Sequence, residues 1–180
     1  MIGIFEILET IILAVWLMMP AYISNPMAVV FGGGTPIDLG KNWTDGKRIL
    51  GDGKTFRGLL AGTGCGIIAG LIQMQITSPF AAGEFTFTVI ITMSFGALLG
   101  DMTKSFFKRR LGFERGGKMF LVDQLDFVAG AWILTYLFDK QWFIANFSLQ
   151  IMVIVVILTP ILHRVTNILG YYMKLKKEPW

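Results

Sequence analysis

A chain of 180 residues with 54% apolar and only 16% charged side chains, and a mean hydropathy of +0.62, has too little polar surface to cover a water-soluble globule. Its net charge is +4, with Cys65 the only cysteine and His163 the only histidine, which excludes an internal disulfide and a Cys/His zinc site. The reading that remains is an integral membrane protein, all-α, forming a single domain over residues 1–180 in a cell membrane it crosses several times.

Five apolar stretches can each supply a spanning helix, which needs about 20 apolar-leaning residues. The first covers residues 7–31. The ten residues at the start contain no Lys or Arg and carry Glu6 and Glu9, unlike a secretory signal, so this stretch is expected to be a retained helix. Pro20 and the pair Asn25-Pro26 interrupt it, which predicts a kinked or re-entrant second half. A polar loop follows over about residues 32–57, holding Lys41, Lys47, Arg48, Lys54 and Arg57. Its end, Gly51-Asp52-Gly53-Lys54-Thr55, has the look of a phosphate loop, but Arg48 stands where a Walker A motif needs its first glycine. Free backbone N–H groups at a helix start beside Lys54 and Thr55 still make a weak anion site.

The second stretch, residues 58–76, carries Gly58, Gly62, Gly66 and Gly70 at four-residue intervals. They form a side-chain-free stripe expected to pack closely within the chain or across a homodimer, with a slot for a lipid chain as the lesser reading. The third stretch, residues 85–99, is expected to continue as helix through Asp101 to Arg110. On that helix Asp101, Lys104, Ser105 and Lys108 share one face. The polar loop of about residues 103–119 adds Arg109, Arg110, Arg115, Lys118 and the pair Gly116-Gly117. The fourth stretch, residues 120–138, places Asp123 and Asp126 three apart on one face, and the fifth covers residues 149–171. Fifteen of the 16 cations then lie on one side, Lys140 being the exception, which the positive-inside rule reads as N-terminus out and C-terminus in. Topology and anionic lipid account for this basic character without nucleic acid.

Acidic side chains at the inner ends of apolar helices are costly unless paired or bound to a cation. Asp123 and Asp126 repel each other unless something positive lies between them. Mg²⁺ takes oxygen ligands, usually one or two carboxylates plus substrate phosphates, and nearby Lys and Arg suit the remaining charge of a polyphosphate. The plainer alternative is that these aspartates pair with Lys104, Lys108 or Arg109 and lock two helices together. Three segments from three spans thus bring cations, hydroxyls and carboxylates to the level where lipid headgroups lie.

Taken in order, Lys54-Thr55-x-x-Gly58, Gly100-Asp101-x-x-x-Ser105-x-x-Lys108-Arg109, Gly116-Gly117 and Asp123-x-x-Asp126 resemble the CTP-dependent phosphatidate cytidylyltransferases. The run from Gly51 to Gly58 and the short five-span chain look more like the archaeal branch of that family, the CDP-archaeol synthases. Glu114, Arg115 and Gln124 depart from the bacterial pattern. The resemblance implies attack of an isoprenoid glycerol-phosphate lipid on the α-phosphorus of CTP, with release of pyrophosphate. It implies that Asp101, Asp123 and Asp126 hold one or two Mg²⁺ and, with Lys108, form the catalytic set. Lys54, Thr55, Arg57, Lys104, Ser105, Arg109, Gly116 and Gly117 would contact nucleotide or lipid phosphate. Competing expectations are a diacylglycerol-phosphate enzyme of the same chemistry and a small anion or lipid transporter using the acids as a proton relay.

Overall fold

The computed structural model describes residues 3–76, 84–113 and 122–172, and these are all helical apart from connecting loops. Six helices follow in order: α1 (Ile4–Val30), α2 (Phe56–Gln75), α3 (Phe87–Arg110), α4 (Val122–Phe138), α5 (Lys140–Asn146) and α6 (Leu149–Tyr172). The described residues contain no strand, only isolated bridges between Pro36 and Thr55 and between Asn42 and Arg48. By length and composition α1, α2 and α6 are apolar enough to cross a membrane. In α3 the apolar run gives way at Asp101 to a charged helical segment that continues to Arg110, as the sequence predicts.

Of the two forms expected for the first stretch, kinked or re-entrant, the re-entrant one does not occur, since α1 runs as one helix through both Pro20 and Pro26. Proline cannot donate to the carbonyl four residues earlier. For Pro20 that carbonyl belongs to Trp16, and the Gln73 side-chain amide of α2 donates to it instead at 2.8 Å. A neighbouring helix thus supplies the missing donor, which is how membrane helices tolerate proline.

The glycine stripe of α2 is used up inside the chain. A Cβ on Gly66 would stand 2.0 Å from the Ser24 hydroxyl of α1, one on Gly62 would stand 2.7 Å from the Ser24 carbonyl, and one on Gly70 would stand 2.4 Å from Ile90 of α3. Backbone and side chains of α1 and α3 therefore fill the groove, which corrects the expectation of a lipid slot there. The stripe of Gly58, Gly62, Gly66 and Gly70 is therefore filled from within the chain and does not supply the homodimer contact the sequence suggested. The buried core lies where these helices meet, around Leu17 and Met18 of α1, Val89, Ile90 and Met93 of α3, Val128 of α4 and Val155 of α6.

Helix α5 was not expected from hydropathy. Asp139 caps it, accepting from the Trp142 N–H at 3.1 Å, and it packs Trp142 and Phe143 with Phe147 and Phe85 into an aromatic cap. This cap lies beside the start of α3, at the end of the bundle opposite Asp101 and Arg110.

Candidate active site

The crossing of α3 and α4 sets the site. Gly96 and Gly100 of α3 face Gly130 of α4: a Cβ on Gly100 would lie 2.1 Å from the Asp126 carbonyl, and one on Gly130 would lie 2.3 Å from the Gly96 carbonyl. Backbones this close cannot admit a side chain. The contact places Asp101, one residue beyond Gly100, beside Asp126.

The loop between α1 and α2 brings the third component. Ile37 N–H donates to the Lys54 carbonyl at 2.8 Å and Phe56 N–H to the Thr35 carbonyl at 3.2 Å, so residues 35–37 hold the start of α2 in place. Thr55 caps that helix, its hydroxyl accepting from Gly58 N–H at 3.1 Å. Lys54, immediately before the cap, reaches across to α3 and pairs with Asp101.

Asp38 organises the rest of this loop. Its carboxylate accepts from Arg48 at 2.7 and 3.2 Å and from the N–H groups of Leu50, Gly51 and Gly40 at 3.0, 2.8 and 3.1 Å. Burial opposes ionisation of Asp38, but the Arg48 guanidinium and the three backbone donors outweigh it and hold the carboxyl well below the usual carboxylate range. Hydrogen bonds to Asp38 and Asp52 raise Arg48 in turn. Arg110, at the end of α3, pins the loop by donating to the Arg48 carbonyl at 2.6 Å and pairing with Asp45 at 3.0 Å. Gly51 adopts φ +93° with the Arg109 guanidinium 3.4 Å from where a Cβ would stand, so glycine is needed there on both counts.

At the centre stands the Lys104 ammonium. It lies 2.7 Å from Asp126 Oδ2, 3.0 Å from Asp101 Oδ1 and 3.7 Å from Asp123 Oδ1, while Lys108 pairs with Asp123 at 2.6 Å. Three carboxylates and three ammonium groups from the α1–α2 loop, α3 and α4 thus form one charge-balanced cluster. All of their side chains are at most 25% exposed. An unbalanced set at this depth would be strongly destabilising.

The sequence-derived residues divide accordingly. Asp101, Asp123, Asp126, Lys54, Lys104 and Lys108 converge. Ser105 is buried and its hydroxyl donates to the Asp101 carbonyl at 2.9 Å, and Thr55 is spent on the cap. Arg57 is exposed and makes no ion pair among the described residues. Arg109 instead lines a separate cavity of about 320 Å³ with Lys47, Arg48 and Asp52. Gly116 and Gly117 lie outside the described residues. Among those residues no three acidic, histidine or cysteine side chains form a metal cage, because Lys104 occupies the space between the carboxylates. Even so, Asp126 Oδ1 is buried with no hydrogen-bond partner, and an unsatisfied carboxylate oxygen suits a hard cation that needs only one or two protein ligands. The sequence reading missed the Asp38 hub, signalled only by an acid set among cations.

These features define a helical membrane protein with a charge-balanced Lys–Asp cluster at one end of the bundle. A family model described as CDP-archaeol synthase (CarS-like) matches residues 7–180. The CDP-archaeol synthase of Methanosarcina barkeri is 53% identical, covering 91% of this chain and 100% of its own, and that of Methanospirillum hungatei is 52% identical with the same coverage. A solved structure of an intramembrane enzyme for archaeal membrane lipids biosynthesis is 39% identical, with a TM-score of 0.73, covering 92% of this chain and 95% of that one. The chain belongs to the CDP-archaeol synthase family and is accordingly an enzyme, of the cytidylyltransferase class.

Proposed function

We propose that the chain transfers CMP from CTP to an isoprenoid ether-lipid phosphate, giving a CDP-activated lipid and pyrophosphate. The observation that carries this reading is the convergence of Lys54, Lys104 and Lys108 with Asp101, Asp123 and Asp126 at one end of the bundle. Five spans with the N-terminus out and the C-terminus in would put that end in the cytosol, where CTP is found. One domain, residues 1–180, would carry the whole activity.

The bond formed joins a lipid phosphate oxygen to the α-phosphorus of CTP, and the bond broken is the one from that phosphorus to the pyrophosphate oxygen. A phosphomonoester has its second pKa near 6, so at neutral pH it is already mostly a dianion and needs no general base. Bringing two polyanions together is the main difficulty, and it is met by placed positive charge and fixed orientation. Lys104 and Lys108 hold their ammonium groups among carboxylates, in place before substrate arrives. Phosphate oxygens then compete with Asp101, Asp123 and Asp126 for the same donors. Lys54 presents a third cation from the loop side, and Arg109 a fourth from the neighbouring cavity. Asp126, with Asp101 or Asp123, would hold Mg²⁺; a bound ion there supplies charge neutralisation for the triphosphate.

Purified protein given α-labelled CTP should pass label to geranylgeranylglycerol phosphate, release pyrophosphate, and stop in EDTA. Transfer to phosphatidic acid at equal efficiency would replace the ether-lipid assignment with a diacylglycerol one. No transfer to either lipid would end the reading.

A further inference from the structure

Lys104 stands where a cation ligated by the cluster would have to sit. Its Nζ lies 2.7 Å from Asp126 Oδ2, 3.0 Å from Asp101 Oδ1 and 3.7 Å from Asp123 Oδ1. An ammonium has three N–H donors, and three carboxylates from two helices converge on this one. A hard divalent cation takes carboxylate oxygens too, and at contact distance it repels the ammonium that already uses them. The close contact of Gly100 with α4 and of Gly130 with α3 holds the two helices together, so room for a second cation has to come from the lysine side chain. That side chain also lines a cavity of about 370 Å³ between α1 and α6. Its flexible four-carbon stem can re-aim the ammonium into that space.

Charge counting leads the same way. Lys54, Lys104 and Lys108 balance Asp101, Asp123 and Asp126. A dication added alone leaves a surplus of positive charge among side chains that are mostly buried, which is costly at that depth. A phosphate group carries about −1.5 to −2 at neutral pH and cancels that surplus when the two enter together. From this geometry we infer that Lys104 is an internal counter-ion: it holds Asp101 and Asp126 against a divalent cation until a phosphate oxyanion draws its ammonium away, so that metal and phosphate bind as a pair. The inference rests on the proposed cytidylyl transfer and concerns how its metal is admitted. Protein without nucleotide or lipid phosphate is thereby kept from loading with divalent ions. Each ligand raises the affinity for the other by the same factor, as linkage requires. Asp126 Oδ1, buried with no hydrogen-bond partner among the described residues, is the oxygen of that carboxylate that Lys104 leaves available.

Mn²⁺ binding to the full chain in detergent tests this, with free Mn²⁺ read from its electron paramagnetic resonance signal. Wild type should bind Mn²⁺ weakly alone, and millimolar inorganic phosphate should tighten binding about fivefold after a protein-free blank is subtracted. Lys104→Met, shown to be folded by a thermal melt, should bind Mn²⁺ about tenfold more tightly than wild type without phosphate, and phosphate should then change it by less than about twofold. Lys108→Met, which removes the ammonium paired with Asp123, should tighten Mn²⁺ by less than about threefold. A gain in Lys108→Met as large as that in Lys104→Met would reflect a general loss of positive charge and overturn the role given to Lys104. Wild-type affinity unmoved by phosphate overturns the pairing of metal with phosphate, and this arm needs no variant to fold. Transfer of label from CTP by wild type with Mg²⁺ is read on the same preparation. Transfer without the expected Mn²⁺ pattern overturns the counter-ion role alone, whereas loss of transfer itself strikes the proposed function.

Discussion

Replacing Lys104 by methionine removes one ammonium from the centre of the cluster and keeps nearly the same volume. The ammonium has three carboxylate neighbours at 2.7, 3.0 and 3.7 Å, and its own side chain is 14% exposed. At an effective dielectric constant of about 20, each contact is worth roughly 4–6 kcal/mol before dehydration is counted. Most of that is offset by taking the ions out of water, and removing one partner from such a buried set costs about 3–5 kcal/mol net. For a chain of this size that corresponds to a fall of roughly 10 °C in apparent Tm. A thiol-reactive dye reporting on Cys65, a partly buried position on α2, reads the transition in detergent. Adding Asp126→Asn to Lys104→Met should recover part of the loss, because it removes the carboxylate left in excess. Mg²⁺ should raise the Tm of Lys104→Met more than that of wild type, since a cation can then take the vacated place. A Lys104→Met protein that melts within about 2 °C of wild type would show that the cluster is not held by that ammonium and would refute the electrostatic account.

Other outcomes follow from the same geometry. Gly100→Ala puts a methyl group 2.1 Å from the Asp126 carbonyl, so α3 and α4 must separate. A stability loss of about 1–3 kcal/mol and a fall in kcat well beyond tenfold are expected, measured by dye melting and label transfer; Gly64→Ala, which meets nothing within 4 Å, serves as the control. The Asp38 carboxyl is held ionised in the folded loop, so its contribution is complete above the ordinary carboxylate range near pH 4 and is lost only as pH falls further, through its lowered value. Protection of the Leu50 and Gly51 amides against hydrogen exchange should therefore stay level from pH 7 to pH 4 and then drop. In Asp38→Asn it should already be about tenfold lower at pH 7.

Much of the bundle is legible in the sequence because hydropathy acts along one chain segment at a time. The five apolar stretches, the helical continuation from Asp101 to Arg110, and the shared face of Asp101, Lys104 and Lys108 all belong to that kind of signal. What a single segment cannot reveal is its partner. Glycines at four-residue intervals promise a close approach, but only the fold shows that Ser24, Ile90 and the carbonyls of α1 fill the α2 stripe. Likewise only the fold shows that Gly100 and Gly130 bring Asp101 to Asp126. Proline read alone suggested a kink or a re-entrant turn in α1, whereas the donor for the Trp16 carbonyl comes from Gln73, 57 residues further along the chain. Lys54 stands in sequence as part of a weak anion site, but only the pairing of residues 35–37 with 54–56 delivers it to Asp101. Helix α5 is too short for a hydropathy window.

The central claim is that the Lys–Asp cluster performs cytidylyl transfer, and Asp126→Asn tests it most directly. The substitution keeps the side chain's shape and removes the charge facing Lys104. Purified Asp126→Asn, shown to be folded by the dye melt, is given α-labelled CTP, Mg²⁺ and geranylgeranylglycerol phosphate. Transfer lowered at least a hundredfold is the result expected; transfer within threefold of wild type would contradict the claim.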